Sequence, residues 1–138
     1  MIVVSNTTPI LSLAKIGQIH LLKNIFGQVY VPKAVYDEIT VHGKGKPGHD
    51  ILVTADYISV KQVKSAMAVG LLKPYLDDGE AESLVLAKEL NADMLLLDEK
   101  KLGKLPAQTR KMLLGRLESF KRQSAEGLFL KLNHAWMI

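Results

Sequence analysis

Short apolar runs alternate along the chain with segments of helical period. Ile2-Val3-Val4-Ser5 is brief and largely β-branched, as a strand buried on both faces needs to be. Asn6-Thr7-Thr8-Pro9 follows, with cap-forming side chains and a proline suited to a first helical turn. Ile10, Leu11, Leu13, Ala14 and Ile16 then carry a helix to Gly17, a plausible stop. Residues 18–26 predict a second short helix, with Ile19, Leu22, Ile25 and Phe26 on its apolar side. Val29-Tyr30-Val31 reads as a strand, and Pro32 opens a third helix to about residue 40. Residues 41–50, with three glycines, two lysines, two histidines and a proline, are a loop. Residues 57–63 alternate like a strand, Asp78-Gly79-Glu80 opens a helix to residue 90, and residues 93–97 form another buried strand leading to Asp98. Helical signals resume there, break near Pro106 and return over residues 108–124. Strands alternating with helices predict an α/β sandwich around a parallel sheet.

Composition narrows the chemistry. The 138 residues are 48% apolar and 23% charged, which suits one globular domain over residues 1–138. The absence of cysteine excludes disulfide frameworks, thiolate nucleophiles and cysteine–zinc sites. The four histidines are scattered without ligand spacing. No run of 18 apolar residues occurs, and the start lacks a basic leader with a small-residue cleavage site, so the expectation is a cytoplasmic protein with no membrane partner. Gly43-Lys44-Gly45-Lys46 lacks the spacing and hydroxyl of a P-loop.

Charge is uneven. The net value is +4, yet residues 77–99 hold eight of the 14 acids against Lys88 alone. Residues 100–131 carry nine Lys or Arg, among them Lys100, Lys101, Lys104, Arg110 and Lys111, against Glu118 and Glu126. An acidic centre beside a basic tail suits a cation and a polyanion together; two solvated helix faces would give the same pattern.

The carboxylates separate by face. In an open parallel sheet, functional groups gather beyond the C-terminal ends of the strands, which puts Asn6 and Asp98 on one rim. Either also reads as a helix N-cap. At about 100° per residue, Glu38 falls with Ala34 and Val35 on the apolar side of its helix, while Lys33 and Asp37 form an exposed pair on the other. A site role or a salt bridge would satisfy Glu38 there. Glu80 falls near Leu84, Ala87 and Leu90, whereas Glu82 falls beside Asp78 and Glu89 on a face that reads as solvated. Glu80 also sits where a helix N-terminus favours an acid. Together, Asn6, Glu38, Glu80 and Asp98 make an oxygen-only set, which suits Mg²⁺ or Mn²⁺ and the hydrolysis of phosphodiesters.

These residues also resemble a known family. Ile2 to Leu11 (Ile2-Val3-Val4-Ser5-Asn6-Thr7-Thr8-Pro9-Ile10-Leu11), Val31-Pro32-Lys33-Ala34-Val35-Tyr36-Asp37-Glu38-Ile39, Leu76-Asp77-Asp78-Gly79-Glu80-Ala81-Glu82-Ser83 and Ala92-Asp93-Met94-Leu95-Leu96-Leu97-Asp98-Glu99 resemble, in order and spacing, the blocks of the PIN-domain superfamily, which includes VapC-like ribonucleases. The resemblance is strongest over residues 1–103 and leaves 104–138 as a divergent helical tail. It implies a three-layer α/β/α sandwich with a central, mostly parallel sheet. It also implies a Mg²⁺- or Mn²⁺-dependent endoribonuclease, plausible as the toxin of a toxin–antitoxin pair, with RNA and an antitoxin protein as partners. Asn6, Glu38, Glu80 and Asp98 fall on the family's metal and catalytic positions, with Glu82 as a substitute for Glu80 and Thr8 as a supporting hydroxyl. Residues 100–122 would steer the RNA backbone, with Lys100, Lys101, Lys104, Arg110 and Lys111 on phosphates.

Two departures matter. Asn6 stands where most members carry aspartate, and Leu96 and Leu97 stand where many carry a threonine or serine. The family's last strand has no obvious counterpart, so a sheet edge is expected to be covered by a homodimer. The alternative reading is a catalytically weak or inactive module that binds RNA or protein.

Overall fold

A computed structural model of the protein describes residues 1–41, 45, 49–97, 101, 103–109 and 129–131. The first strand, β1 (Val3–Ser5), is buried throughout. Helix α1 (Thr7–Lys15) follows and stops where Gly17, at φ +68°, closes the turn. Gly17 N–H donates to Ala14 O, and Gln18 N–H to Leu13 O at 2.8 Å, the pair of bonds that satisfies carbonyls at a helix end. Helix α2 (Leu21–Phe26) leads to β2 (Val29–Pro32), which passes directly into α3 (Lys33–Thr40). Then come α4 (His49–Thr54), β3 (Ile58–Lys61), α5 (Ala66–Leu72), α6 (Asp78–Glu89), β4 (Met94–Leu96) and β5 (Phe129–Lys131).

The five strands lie in the order β3-β2-β1-β4-β5. The first four are parallel, and β5 runs antiparallel to β4 with Met94 opposite Lys131 and Leu96 opposite Phe129. Val3, Val4, Leu95 and Leu96 at the sheet centre are wholly buried, which explains why β1 and β4 read as unbroken apolar runs rather than as alternating ones. Helices flank this sheet in the three-layer α/β arrangement.

Several expectations need adjustment. Two helices, α4 and α5, occupy stretches with no helix expected; α4 starts at His49, inside the expected loop. Helix α5 is opened by Ser65, whose hydroxyl accepts from Ala68 N–H at 3.2 Å. The tail beyond residue 103 is not wholly helical, because it supplies β5. That strand pairs with the free side of β4, so the argument for a homodimer covering this edge loses its ground. The expected helix over residues 108–124 falls almost wholly outside the described residues, as do most of residues 41–48.

The sheet's C-terminal rim positions the chemistry. Asn6 N–H donates to Leu96 O at 3.0 Å, tying the exit of β1 to the exit of β4. Asp93, at the opposite end, accepts from Ile2 N–H at 2.7 Å and fixes the strand starts.

Candidate metal-binding site

Asn6 occupies the N-cap position of α1 with extended backbone, φ −81° and ψ 177°, yet its side chain makes no capping bond. The residue is only 3% exposed. Its amide is instead turned toward α6: a Cβ placed on Gly79 would stand 3.5 Å from Asn6 Oδ1 and 3.1 Å from Glu38 Oε2. Two oxygens 32 residues apart in sequence thus both approach the one residue of α6 that lacks a side chain. The close approach requires glycine there, since a methyl group at 3.1 Å would force Glu38 aside.

Glu38 lies on α3 next to Asp37 of the Lys33–Asp37 pair at 3.0 Å, and it is exposed rather than turned into the apolar side of its helix as its spacing predicts. Its Oε2 accepts a 2.8 Å hydrogen bond from Thr7 Oγ1. The hydroxyl that reaches this carboxylate is that of Thr7; Thr8, the next residue on α1, is half-buried. Glu38 is oriented by α1 on one side and limited by Gly79 on the other.

Glu80 is inward, as the helical-face argument requires, at 3% exposure. Its Oε1 accepts from Asp77 N–H at 3.0 Å, and Asp77 Oδ1 accepts from Glu80 N–H at 2.8 Å, a reciprocal cap at the start of α6. Glu80 Oε2 lies 3.3 Å from Lys101 Nζ. Ser83 Oγ donates to Gly79 O at 2.7 Å and further ties this first turn.

Glu82 corrects the solvated-face expectation. It is half-buried, and its Oε1 accepts from Ala34 N–H at 3.1 Å. Ala34 lies in the first turn of α3, whose own N-cap, Pro32, supplies no side-chain acceptor. A carboxylate from α6 therefore caps α3, the helix that carries Glu38. A cleft of about 640 Å³ opens beside this contact, lined by Lys33, Asp37, Glu38, Asp78, Gly79 and Glu82 among others; Asn6 and Glu80 lie outside its lining.

Asp98, Lys100, Arg110 and Lys111 lie outside the described residues; Lys104 is exposed. Among the described residues, no three acidic or histidine side chains are grouped to hold a metal ion. Asn6 Oδ1 and Glu38 Oε2 are the pair brought together, and both are hard oxygen donors of the kind Mg²⁺ and Mn²⁺ take. The donor chemistry of these two oxygens fits such an ion.

Sequence reasoning missed Thr7, Gly79 and the capping role of Asp77. The last had a readable signal, an aspartate three residues before a glutamate at a helix start. A family model described as a PIN domain matches residues 2–114 of the chain. No curated protein and no solved structure matches it.

Proposed function

Because the chain belongs to the PIN-domain family, we propose that it is a metal-dependent ribonuclease that hydrolyses RNA phosphodiester bonds. The observation that carries this reading is the side chain of Asn6, which leaves the cap of its own helix uncapped and shares with Glu38 the space over Gly79. A buried amide spared from its local structural task, beside a carboxylate oriented by a hydroxyl, is a ligand pair in waiting. Asn6, Glu38 and Asp98 would hold Mg²⁺ or Mn²⁺, with Glu80 at the margin. A bound ion of this class supplies Lewis-acid polarisation of a phosphoryl oxygen and lowers the pKa of water.

The protein's own groups do the rest. Thr7 keeps Glu38 Oε2 in place, and Glu82 keeps α3 docked on α6, as a positioning residue rather than as a substitute ligand. Lys100, Lys104, Arg110 and Lys111 would meet the RNA phosphates as a basic margin to the acidic rim. Among the described residues, no helix is long and apolar enough to cross a membrane. A cytoplasmic toxin paired with an antitoxin protein suits this reading, and a homodimer remains part of it without the sheet-edge argument.

The test is cleavage of single-stranded RNA with added Mn²⁺. Asp98→Ala and EDTA should each abolish it; activity that survives both belongs to another site or another protein.

A second reading is a PIN fold that binds RNA or a protein without cutting. Its supporting observation is the missing charge at Asn6 together with the engagement of both Glu80 oxygens. Mn²⁺-independent RNA binding without cleavage would select it.

A further inference from the structure

We propose that the cleft between α3, α5 and α6 seats one unpaired base of the RNA, with Gln62 reading the base edge. This deepens the ribonuclease reading and rests on it for the identity of the ligand. Glu38 and Gly79 belong both to the lining of the cleft and to the close approach with Asn6 Oδ1. A nucleotide whose phosphate reached an ion there would have its base within reach of the cleft. Gln62 and Val63 follow β3 directly, as Asn6 follows β1, which places them beyond the C-terminal ends of parallel strands, where ligands of such sheets gather. The volume, about 640 Å³, falls in the roughly 300–1,000 Å³ range of small-ligand sites.

Both walls of the cleft are fixed to α6. Glu82 Oε1 holds the first turn of α3 through Ala34 N–H at 3.1 Å. Glu89, at the other end of α6, accepts from Lys64 N–H and Ser65 N–H, each at 2.9 Å, and holds the start of α5. Ala66, Val69 and Lys73, three and four residues apart, then share one face of α5 and line the cleft.

The lining charges are matched among themselves. Lys33 pairs with Asp37 at 3.0 Å, and Lys73 with Asp78 at 3.4 Å. Glu82 takes Ala34 N–H, and Asp77 Oδ1 takes Glu80 N–H at 2.8 Å, each at a helix N-terminus. Four acids so placed repel a phosphate, and their partners already meet their charge. What remains is neutral: the carboxamide of Gln62 and the apolar side chains of Val63, Ala66 and Val69. The base is the neutral, flat part of RNA, and unpaired bases are recognised by packing on their faces and hydrogen bonds to their edges. Gln62 offers a donor and an acceptor side by side, as such an edge needs.

The experiment joins methyl NMR of the full chain, titrated with adenosine, guanosine, cytidine, uridine and inorganic phosphate, to Mn²⁺ calorimetry and cleavage of single-stranded RNA. At millimolar concentration at least one nucleoside should shift the Val63 and Val69 methyl signals, and phosphate should leave them in place. Ala66→Phe, at an exposed position of α5, fills the cleft without entering the core. It should abolish those shifts and raise KM for RNA by at least about tenfold, while Mn²⁺ affinity stays within about twofold of the wild type. Gln62→Ala should weaken most the strongest of the four nucleoside responses. Equal responses to all four, in the wild type and Gln62→Ala alike, would overturn Gln62 as the reader of the base. No nucleoside shift, an equal response to phosphate, or an unchanged KM in Ala66→Phe would overturn the proposal while leaving Mn²⁺-dependent cleavage standing. Nucleoside shifts without any cleavage by the wild type would instead bring down the ribonuclease reading and keep the cleft as a base site.

Discussion

Thr7 donates its hydroxyl to Glu38 Oε2 at 2.8 Å across 31 residues of sequence, so the first residue of α1 orients the one carboxylate that α3 contributes to the rim. The bond joins the two helices that leave β1 and β2, at the sheet end where ligands of open parallel sheets gather. Thr7→Val keeps the shape and removes the donor. It should cost about 1 kcal/mol of stability in a urea titration and weaken Mn²⁺ binding by on the order of tenfold, since oriented ligands lose about that much with their supporting bond. Thr7→Ser should retain both properties.

Gly79 separates stability from function. In the first turn of α6, alanine is the better helix former by about 0.5–1 kcal/mol. The added methyl would nevertheless stand 3.1 Å from Glu38 Oε2, 3.4 Å from Val35 Cγ2 and 3.5 Å from Asn6 Oδ1. Gly79→Ala should therefore fold with a stability within about 1 kcal/mol of the wild type, the propensity gain offsetting the crowding, while Mn²⁺ affinity falls several-fold. Unchanged affinity would mean that Glu38 does not need its observed position.

Glu82 provides a contrast between two substitutions. The acceptor that Ala34 N–H uses is retained in Glu82→Gln and lost in Glu82→Ala. If Glu82 positions α3, the glutamine variant should keep most of the Mn²⁺ affinity, and the alanine variant should lose about 1 kcal/mol of stability along with binding. Equal and large losses of affinity in both would indicate that the charge itself is a ligand.

Asn6→Asp should act in opposite directions with and without metal. The new carboxylate would be buried beside Glu38 Oε2, where like charges repel by about 1 kcal/mol or more. In EDTA the variant should melt below the wild type. With Mn²⁺ the added charge becomes an asset, and affinity and any RNA cleavage should rise by on the order of tenfold. Loss of the cap is not the cause of the lower melting point, because Asn6 does not cap α1 through its side chain.

The sheet was legible where burial is two-sided. Ile2-Val3-Val4 and Met94-Leu95-Leu96-Leu97 have no polar alternation, and that is the mark of central parallel strands. The inward turn of Glu80 and the outward Lys33–Asp37 pair followed from helical spacing alone. Glu82 did not, because spacing ranks the faces of one helix and is silent about the bare N–H groups of another. Those of α3, left uncapped by Pro32, drew Glu82 in. Helix α5, with Gly70 and small side chains, has a weak periodic signal, and Ser65 was its one readable cue. The bond from Thr7 to Glu38 could not be read from spacing, since neighbouring helix positions differ by about 100° and only packing against α3 turns Thr7 toward it. Strand β5 is three residues long, too short for its alternation to be read.

The central claim, that Asn6 and Glu38 hold a divalent ion for RNA hydrolysis, is tested most directly by Mn²⁺-dependent cleavage of a labelled single-stranded RNA by the wild type and by Glu38→Gln. The amide preserves an acceptor for Thr7 and the packing against Gly79, so the fold should persist while the charge is gone. The account predicts cleavage by the wild type that disappears in EDTA and falls at least about a hundredfold in Glu38→Gln. Equal cleavage by the two proteins, or cleavage by the wild type that is indifferent to EDTA, would contradict it.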